Sequence, residues 1–192
     1  MRRQLLSGLG MALAMTVLVG LAYPLAMTGI SQLAFHNRAN GSLVKVNGTV
    51  VGSALLGQSF TQPQYFQPRP SAAGAGYDGL ASAASNLGPS SGKLLGDVAL
   101  RTDAYRSDNG LGPDDPVPVD AVTASGSGLD PQISVANARI QATRVAKVRG
   151  MPVDTVLHMV DAHTQGRPLG FLGEKAVNVL ELNLDLDQST RP

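Results

Sequence analysis

The stretch "VTASGSGLDPQIS", Val122 to Ser134, decides how the second half of the chain folds. A Ser-Gly run that passes into Asp-Pro and an apolar-periodic segment is compatible with a catalytic serine loop, a phosphate cradle or the start of a helix. A hydrolase nucleophile elbow requires Gly two places before and two places after its serine, and neither Ser125 nor Ser127 satisfies both conditions. A phosphate-binding P-loop requires Lys and then Ser or Thr after its second Gly, whereas Leu129 and Asp130 follow here.

Helix entry is the interpretation that remains for this stretch. Asp130 is suited to the N-cap, Pro131 to the first helical position and Gly150 to the C-terminal stop. The sequence therefore predicts a helix from Pro131 to Arg149. Its basic side chains are interpreted as a solvated face rather than a phosphate site, and they are Arg139, Arg144, Lys147 and Arg149.

The N-terminal segment is the least like an average soluble chain. No residue from Gln4 to Phe35 is charged, and about 20 apolar residues are enough to cross a bilayer as a helix. The sequence predicts a transmembrane helix from about Leu5 to Thr28. A cleaved signal peptide is the alternative, because Ala12-Leu13-Ala14 resembles a cleavage site, but cutting there would leave a strongly apolar new terminus.

Composition excludes several classes of function. With 15 basic and 14 acidic residues the chain has no nucleic-acid footprint, and with no cysteine it has neither disulfides nor thiolate chemistry. The three histidines include His158 and His163, which are five residues apart and so do not share a helical face as a zinc-binding pair would. No metal site and no catalytic residue are predicted.

The remaining segments predict a mixed fold. Alternation on either side of Asn47-Gly48 indicates a hairpin with strands at Leu43 to Val46 and Thr49 to Leu55. The loop-rich stretch from Phe60 to Pro118 should be ordered, because it contains aromatic residues that linkers lack, and one helix is expected in it from Gly92 to about Arg106.

A further helix should begin after Pro152, and the alternation in "VNVLELNLDLD" near the C-terminus indicates a half-buried strand. The predicted fold class is α+β. Residues 1–35 form a membrane anchor, and residues 36–192 form a single soluble α+β domain.

Six stretches in order resemble the KdpC subunits of the bacterial Kdp potassium-transporting P-type ATPase. They follow one N-terminal membrane helix and read "GSALLGQSF", "YFQPRPSA", "SNLGPSS", "VPVDAVTASGSGLDPQIS", "RVAKVRG" and "GFLGEKAVNVLELN". The similarity covers almost the whole chain. Gln132 stands where His is frequent in the family, Lys175 stands where Pro is usual, and Gly is usual before Ser85-Asn86.

The resemblance implies a non-catalytic accessory subunit in the inner membrane, with its soluble domain outside the cytoplasm. Its partners would be the lipid bilayer, a KdpA-like potassium-conducting subunit, a KdpB-like ATP-hydrolysing subunit and a small KdpF-like peptide. The family is described as a catalytic chaperone that raises the affinity of the KdpB subunit for ATP, and it sometimes carries an ATP-binding label. The chain has no P-loop and no Asp-Lys-Thr-Gly motif, so ATP and potassium are expected to be used by the complex rather than bound here.

Other roles stay open at this point. They are a contribution at the external potassium entrance of the KdpA-like subunit, a membrane-anchored hydrolase and a free-standing anchored binding domain. Within the family stretches, two surfaces are candidates for partner contact, although loop and cap architecture would also explain them. The first comprises Gln58, Tyr65, Phe66, Arg69, Pro70 and Ser71, and the second comprises Ser125, Ser127, Asp130 and Gln132.

Overall fold

The computed structural model describes residues 1–189, which divide into two compact units. The first unit is Met1–Leu43, and the second unit begins at Val44. The first contains the apolar N-terminal segment, and the second contains the mixed helices and strands. The α+β character that the sequence predicted is confirmed.

The first unit is a continuous helix, Arg2–Ala34, followed by one short helix. Its segments are α1 (Arg2–Val17), a π-helical turn (Leu18–Ala22), α2 (Tyr23–Ala34) and then α3 (His36–Ala39). Pro24 has no N–H and its ring crowds the carbonyl four residues earlier, and the wider π-helical turn just before it accommodates that change. Within residues 1–189 this is the one helix that is long and apolar enough to span a membrane, with mean hydropathy 2.1.

The second unit contains five helices and two small sheets within the part that the structure describes. In chain order the elements are β1 (Leu43–Val46), β2 (Thr49–Ser53), α4 (Gly92–Asn109), α5 (Val119–Val122), β3 (Gln132–Ser134), α6 (Val135–Arg149), α7 (Val153–Ala162), β4 (Thr164–Gln165), β5 (Ala176–Asn178) and α8 (Val179–Ser189), with a 3-10 turn at Pro168–Gly170.

Turn and cap residues predicted several boundaries correctly. Asn47 and Gly48 both have positive φ, 51° and 80°, as a tight hairpin turn requires. Gly150 ends α6 in the left-handed conformation, and α7 begins after Pro152. The helix expected from Gly92 continues to Asn109, three residues beyond its predicted end, because left-handed Gly110 is what stops it.

The core lies between the second sheet and its helices. Strand β5 is central and pairs antiparallel with β3 and β4. Strands β3 and β5 each run directly into a helix, α6 and α8. The buried cluster consists of Phe66, Ile133, Ala138, Ala142, Val145, Ala146, Val156, Val160, Val177, Val179, Leu182 and Leu186. Alanines dominate the α6 contribution, so neighbouring elements can approach this helix closely.

The predicted start of α6 at Asp130 and Pro131 is wrong. Residues 132–134 are strand β3 instead, because Ile133 is buried opposite Val177 while its neighbours are only half-buried. The N-cap of α6 is Ser134, whose Oγ accepts a hydrogen bond from the Asn137 N–H at 3.1 Å.

The predicted C-terminal strand is also wrong, because residues 179–189 form helix α8. Its buried side chains include Val179, Leu182, Asn183 and Leu186, which follow the helical spacing i, i+3, i+4 and i+7. Asn178 Oδ1 accepts the Glu181 N–H at 3.1 Å, which is the bond of an N-cap. Leucine at every second residue had indicated a strand, because it matches the two-residue period of a strand as well.

Replacement of the observed N-cap tests where α6 begins. We expect Ser134→Ala to lower the free energy of unfolding of the full chain by about 0.5–2 kcal/mol, because the Asn137 N–H loses its acceptor. Ser107→Ala, on the exposed surface of α4, is the matched control and should change stability by less than about 0.5 kcal/mol. Thermal unfolding followed by circular dichroism measures both, and equal effects would contradict the assignment of the cap.

Candidate functional site

Segment 63–67 belongs to neither a helix nor a strand, yet side chains from α6 and α8 satisfy its backbone. The Phe66 N–H donates to Asn183 Oδ1 at 2.8 Å, and Asn183 Nδ2 donates back to the Phe66 carbonyl at 2.9 Å. Asn183 is 1% exposed. One buried amide therefore pairs with both polar groups of one residue, as a neighbouring β-strand would.

Gln141 on α6 repeats this reciprocal pairing at the next residue. The Gln67 N–H donates to Gln141 Oε1 at 2.7 Å, and Gln141 Nε2 donates to the Gln67 carbonyl at 3.0 Å. Gln141 Nε2 also donates to Asn137 Oδ1 at 2.8 Å. The amide is thereby fixed in orientation on its own helix.

Arg144 bonds to the carbonyls on the N-terminal side of the same segment. Its Nη1 donates to the carbonyls of Pro63 and Tyr65, and its Nη2 donates to Gln141 Oε1 at 2.8 Å. Its Nε donates to Asn109 Oδ1 at 3.0 Å. Burial lowers the pKa of Arg144 below its ordinary value, and carbonyl and amide oxygens surround the guanidinium.

Arg149, at the end of α6, completes the contacts. Its Nε donates to the Gln64 carbonyl at 2.7 Å, and its Nη2 forms an ion pair with Asp187 at 2.8 Å. The guanidinium carbon lies 5.0 Å from the centre of the Tyr65 ring. The Tyr65 hydroxyl donates to Asp187 at 3.0 Å, and burial together with this bond raises the pKa of Tyr65.

We call Asn183, Gln141, Arg144 and Arg149, with segment 63–67, the loop clamp. The sequence predicted that Arg144 and Arg149 lie on a solvated basic face, and this is wrong because Arg144 is 9% exposed and the Arg149 side chain 7% exposed. Arg139 does lie at the surface, in an exposed ion pair with Asp161. The guanidinium groups of both arginines donate hydrogen bonds to backbone carbonyls. These bonds take the place of the hydrogen bonds to water that are lost on burial.

A second set of contacts joins residues 69–77 to the Ser-Gly stretch, and we call it the loop lock. Arg69 forms an ion pair with Asp130 at 3.0 Å, and Ser71 Oγ donates to the Gly128 carbonyl at 2.6 Å. The Tyr77 hydroxyl donates to the Arg69 carbonyl at 2.7 Å. Gly128 has φ +67°, and a Cβ there would lie 2.6 Å from the Ala73 nitrogen, so only glycine fits.

The serines of this stretch shape its turns. Ser125 Oγ accepts the Gly128 N–H at 2.9 Å, and Ser127 Oγ accepts the Leu129 N–H at 3.1 Å. Asp130 Oδ1 accepts the Gln132 N–H at 3.0 Å, while its other oxygen binds Arg69. These bonds give the Ser-Gly stretch an architectural explanation that needs no nucleophile.

The two predicted contact surfaces meet at Arg69. One cleft of about 400 Å³ is lined by Arg69, Pro70 and Ser71, and another of about 600 Å³ is lined by Arg69, Ser125, Ser127, Asp130 and other residues. Phe66, in contrast, is fully buried.

The remaining two candidates bond to neighbouring segments. Gln58 Nε2 donates to the Val51 carbonyl at 2.9 Å, and Gln132 Nε2 donates to Gln165 Oε1 at 2.8 Å. Among residues 1–189, no three His, Asp or Glu side chains converge into a group that could hold a metal ion.

Comparison with known proteins agrees with this architecture. The profile of the family described as "KdpC: K+-transporting ATPase, c chain" matches residues 5–188. The chain belongs to the KdpC family. The potassium-transporting ATPase KdpC subunit of Mycobacterium tuberculosis H37Rv is 58% identical over 188 residues, which cover 98% of this chain and 100% of that protein. The KdpC subunit of Caulobacter sp. K31 is 56% identical over 173 residues, 90% of this chain and 87% of that one.

As a member of this family, the chain is a subunit of a potassium-transporting ATPase. Its long apolar N-terminal helix fits a single membrane span. The KdpC stretch "YFQPRPSA" contributes residues 65–67 of the loop clamp and Arg69 and Ser71 of the loop lock, and "VPVDAVTASGSGLDPQIS" contributes the other side of the lock.

Sequence reasoning missed the polar side of the loop clamp. Gln141 and Arg144 are three residues apart on α6, and Asn137 lies four residues before Gln141, so all three share a helical face with buried alanines. Polar residues that interrupt an apolar face at helical spacing were therefore the available signal. Their partner segment lies more than 70 residues away in the chain, and no local pattern identifies it.

Removal of one clamp amide tests its contribution to the KdpC fold. We expect Asn183→Leu to destabilise the full chain by about 1–3 kcal/mol for each of the two Phe66 backbone groups left without a partner. Gln188→Leu, at an exposed position of the same helix, is the control and should stay within about 0.5 kcal/mol of the native protein. If thermal unfolding shows the two variants to be equally stable, the amide contributes nothing.

Proposed function

We propose that this chain is a non-catalytic accessory subunit of an ATP-driven potassium uptake complex. In this role it supports assembly and raises the affinity of a KdpB-like subunit for ATP. The observation that carries the proposal is the loop clamp, because it fixes an irregular segment in one conformation. A surface that is ordered before binding loses less conformational entropy when a partner docks.

The Ser-Gly stretch also favours a mechanical role over a chemical one. The hydroxyls of Ser125 and Ser127 accept turn N–H groups, and the described residues give neither of them an imidazole partner. A hydrolase role therefore has no supporting geometry. ATP and potassium would act on the partner subunits, and this chain would influence them through contact.

The effect on ATP would be allosteric. The soluble unit is proposed to lie outside the cytoplasm, whereas ATP is inside, so the coupling must pass through the KdpA-like and KdpB-like subunits. A rigid element that favours one state of its partner can transmit such coupling, with a typical magnitude of about 1–3 kcal/mol. That range corresponds to a change in affinity of about 5- to 150-fold.

The membrane helix would supply the assembly contacts. Gly8 and Gly10 have no atom within 4 Å of the position a Cβ would take, so another helix can approach the backbone closely there. Small residues favour such packing between membrane helices. We propose that the KdpA-like subunit and the small KdpF-like peptide are among the helices that pack here.

The affinity for ATP tests the proposed coupling. We expect the purified complex that lacks this subunit to show a KM for ATP about 5- to 150-fold higher than the complete complex. The measurement is ATP hydrolysis against ATP concentration at saturating potassium. The isolated chain, as a control, should hydrolyse no ATP.

A different result would favour the alternative role at the external potassium entrance. In that case the KM for potassium would rise in the complex without this subunit, and the KM for ATP would not change. Equal values of both constants with and without the subunit would contradict both roles.

The proposed topology can be tested because the chain has no native cysteine. Leu80 is fully exposed, so we expect Leu80→Cys to react with a membrane-impermeant thiol reagent in intact spheroplasts. Arg2→Cys, at the N-terminal end of the membrane helix, is the matched control and should react only after lysis. The reverse pattern would place the soluble unit in the cytoplasm.

A further inference from the structure

Residues 166–175, between β4 and β5, form an arm in which every residue is exposed. The base of the arm is the pairing of Thr164 with Val177 and of Gln165 with Ala176. Internal bonds define its shape, since the Leu172 N–H donates to the Pro168 carbonyl at 3.0 Å. The arm is therefore an ordered projection whose side chains bury little surface against the rest of the unit.

The end of this arm presents large apolar side chains to solvent. Leu169 is 82% exposed, Phe171 is 71% exposed and Leu172 is 47% exposed. Leu169 has φ 54°, a left-handed conformation that is strained for a leucine, and it precedes Gly170 with φ 83°. Backbone strain at a leucine that is also exposed indicates a functional feature, because burial of the side chain does not account for it.

Positive charge lies at the base of the arm, where the chain enters β5. Arg167 forms an ion pair with Glu174 at 3.1 Å, and Lys175 is exposed with no ion pair among the described residues. The arm therefore has one positive charge without an ion pair at its base and three exposed apolar side chains at its end. An apolar tip with a cationic base is typical of segments that insert into the interface of a bilayer, where lysine meets lipid phosphates.

The covalent connection to the membrane helix makes lipid the nearest abundant apolar partner. Nine residues separate Ala34, the last residue of α2, from Val44, the first residue of the second unit. A chain of that length spans at most about 35 Å when fully extended. The second unit is thus confined to the neighbourhood of whichever bilayer the helix spans.

We propose that the arm inserts Leu169, Phe171 and Leu172 into the interfacial region of the bilayer, with Lys175 at the headgroup phosphates. Insertion removes the apolar side chains from water, and it gives the soluble unit a second attachment to the membrane besides its helix. This attachment limits the orientations of the soluble unit. It is independent of the proposed effect on ATP affinity.

A single tryptophan can test the insertion, because the native chain contains none. The full chain with Phe171→Trp is placed in lipid nanodiscs of mixed zwitterionic and anionic lipid without any partner subunit. We expect the tryptophan emission maximum to lie at shorter wavelength than that of a tryptophan exposed to water. Lipids brominated on their acyl chains should quench the emission. Leu80→Trp, at the fully exposed Leu80, is the matched control and should show neither effect.

Charge reversal provides an independent readout. We expect Lys175→Glu, combined with Phe171→Trp, to reduce quenching by brominated lipid in anionic nanodiscs. Leu172→Trp gives a second probe if circular dichroism shows that Phe171→Trp perturbs the fold. Emission and quenching equal to those of Leu80→Trp at both positions would overturn the proposal. A shift that occurs only after partner subunits are added would also overturn it, and would assign the arm to a protein interface.

Discussion

The pairing of segment 63–67 with buried side chains is the constraint on which the second unit depends. Backbone N–H and carbonyl groups must find partners when they are buried, and this segment has no strand beside it. Asn183 and Gln141 supply both partners for Phe66 and Gln67, while Arg144 and Arg149 bond to the carbonyls before them. The chain can then bury Phe66 completely within an irregular loop.

The clamp also explains why so small a sheet supports the unit. Strands β3, β4 and β5 contain two or three residues each, which is too few for the sheet to order the long segment between β2 and α4. Side chains of α6 and α8 perform that function instead. The loop lock continues the same principle, because Arg69 and Ser71 tie the next residues to Asp130 and Gly128. Two helices and two loops therefore form one cooperative structure.

The sequence predicted those turns and helix ends that depend on neighbouring residues alone. The Asn47-Gly48 turn, the stop at Gly150 and the start of α7 depend on backbone preferences of one or two residues. Strand β3 was missed because Asp130-Pro131 also suits a helix start, and the pairing of Ile133 with Val177 that decides the matter is remote in sequence. Helix α8 was missed because leucine at every second residue fits two periods, and only the burial of Val179 and Asn183, with Leu184 half-buried, distinguishes them. Several of the candidate contact residues lie around Arg69, but the clamp partners of segment 63–67 were not predicted, because Asn183 lies 117 residues from Phe66.

The exchange rate of two backbone amides tests the central claim most directly. Residues 66 and 67 belong to no helix or strand, so an unclamped loop would exchange their amide hydrogens as fast as the exposed loop residue Asp114 does. The loop clamp instead makes their exchange depend on an opening that breaks their bonds to Asn183 and Gln141. Hydrogen exchange of the full chain, resolved by residue, should therefore show Phe66 and Gln67 protected to a level similar to Val177 in the central strand. Exchange of both amides at the rate of Asp114 would contradict the account.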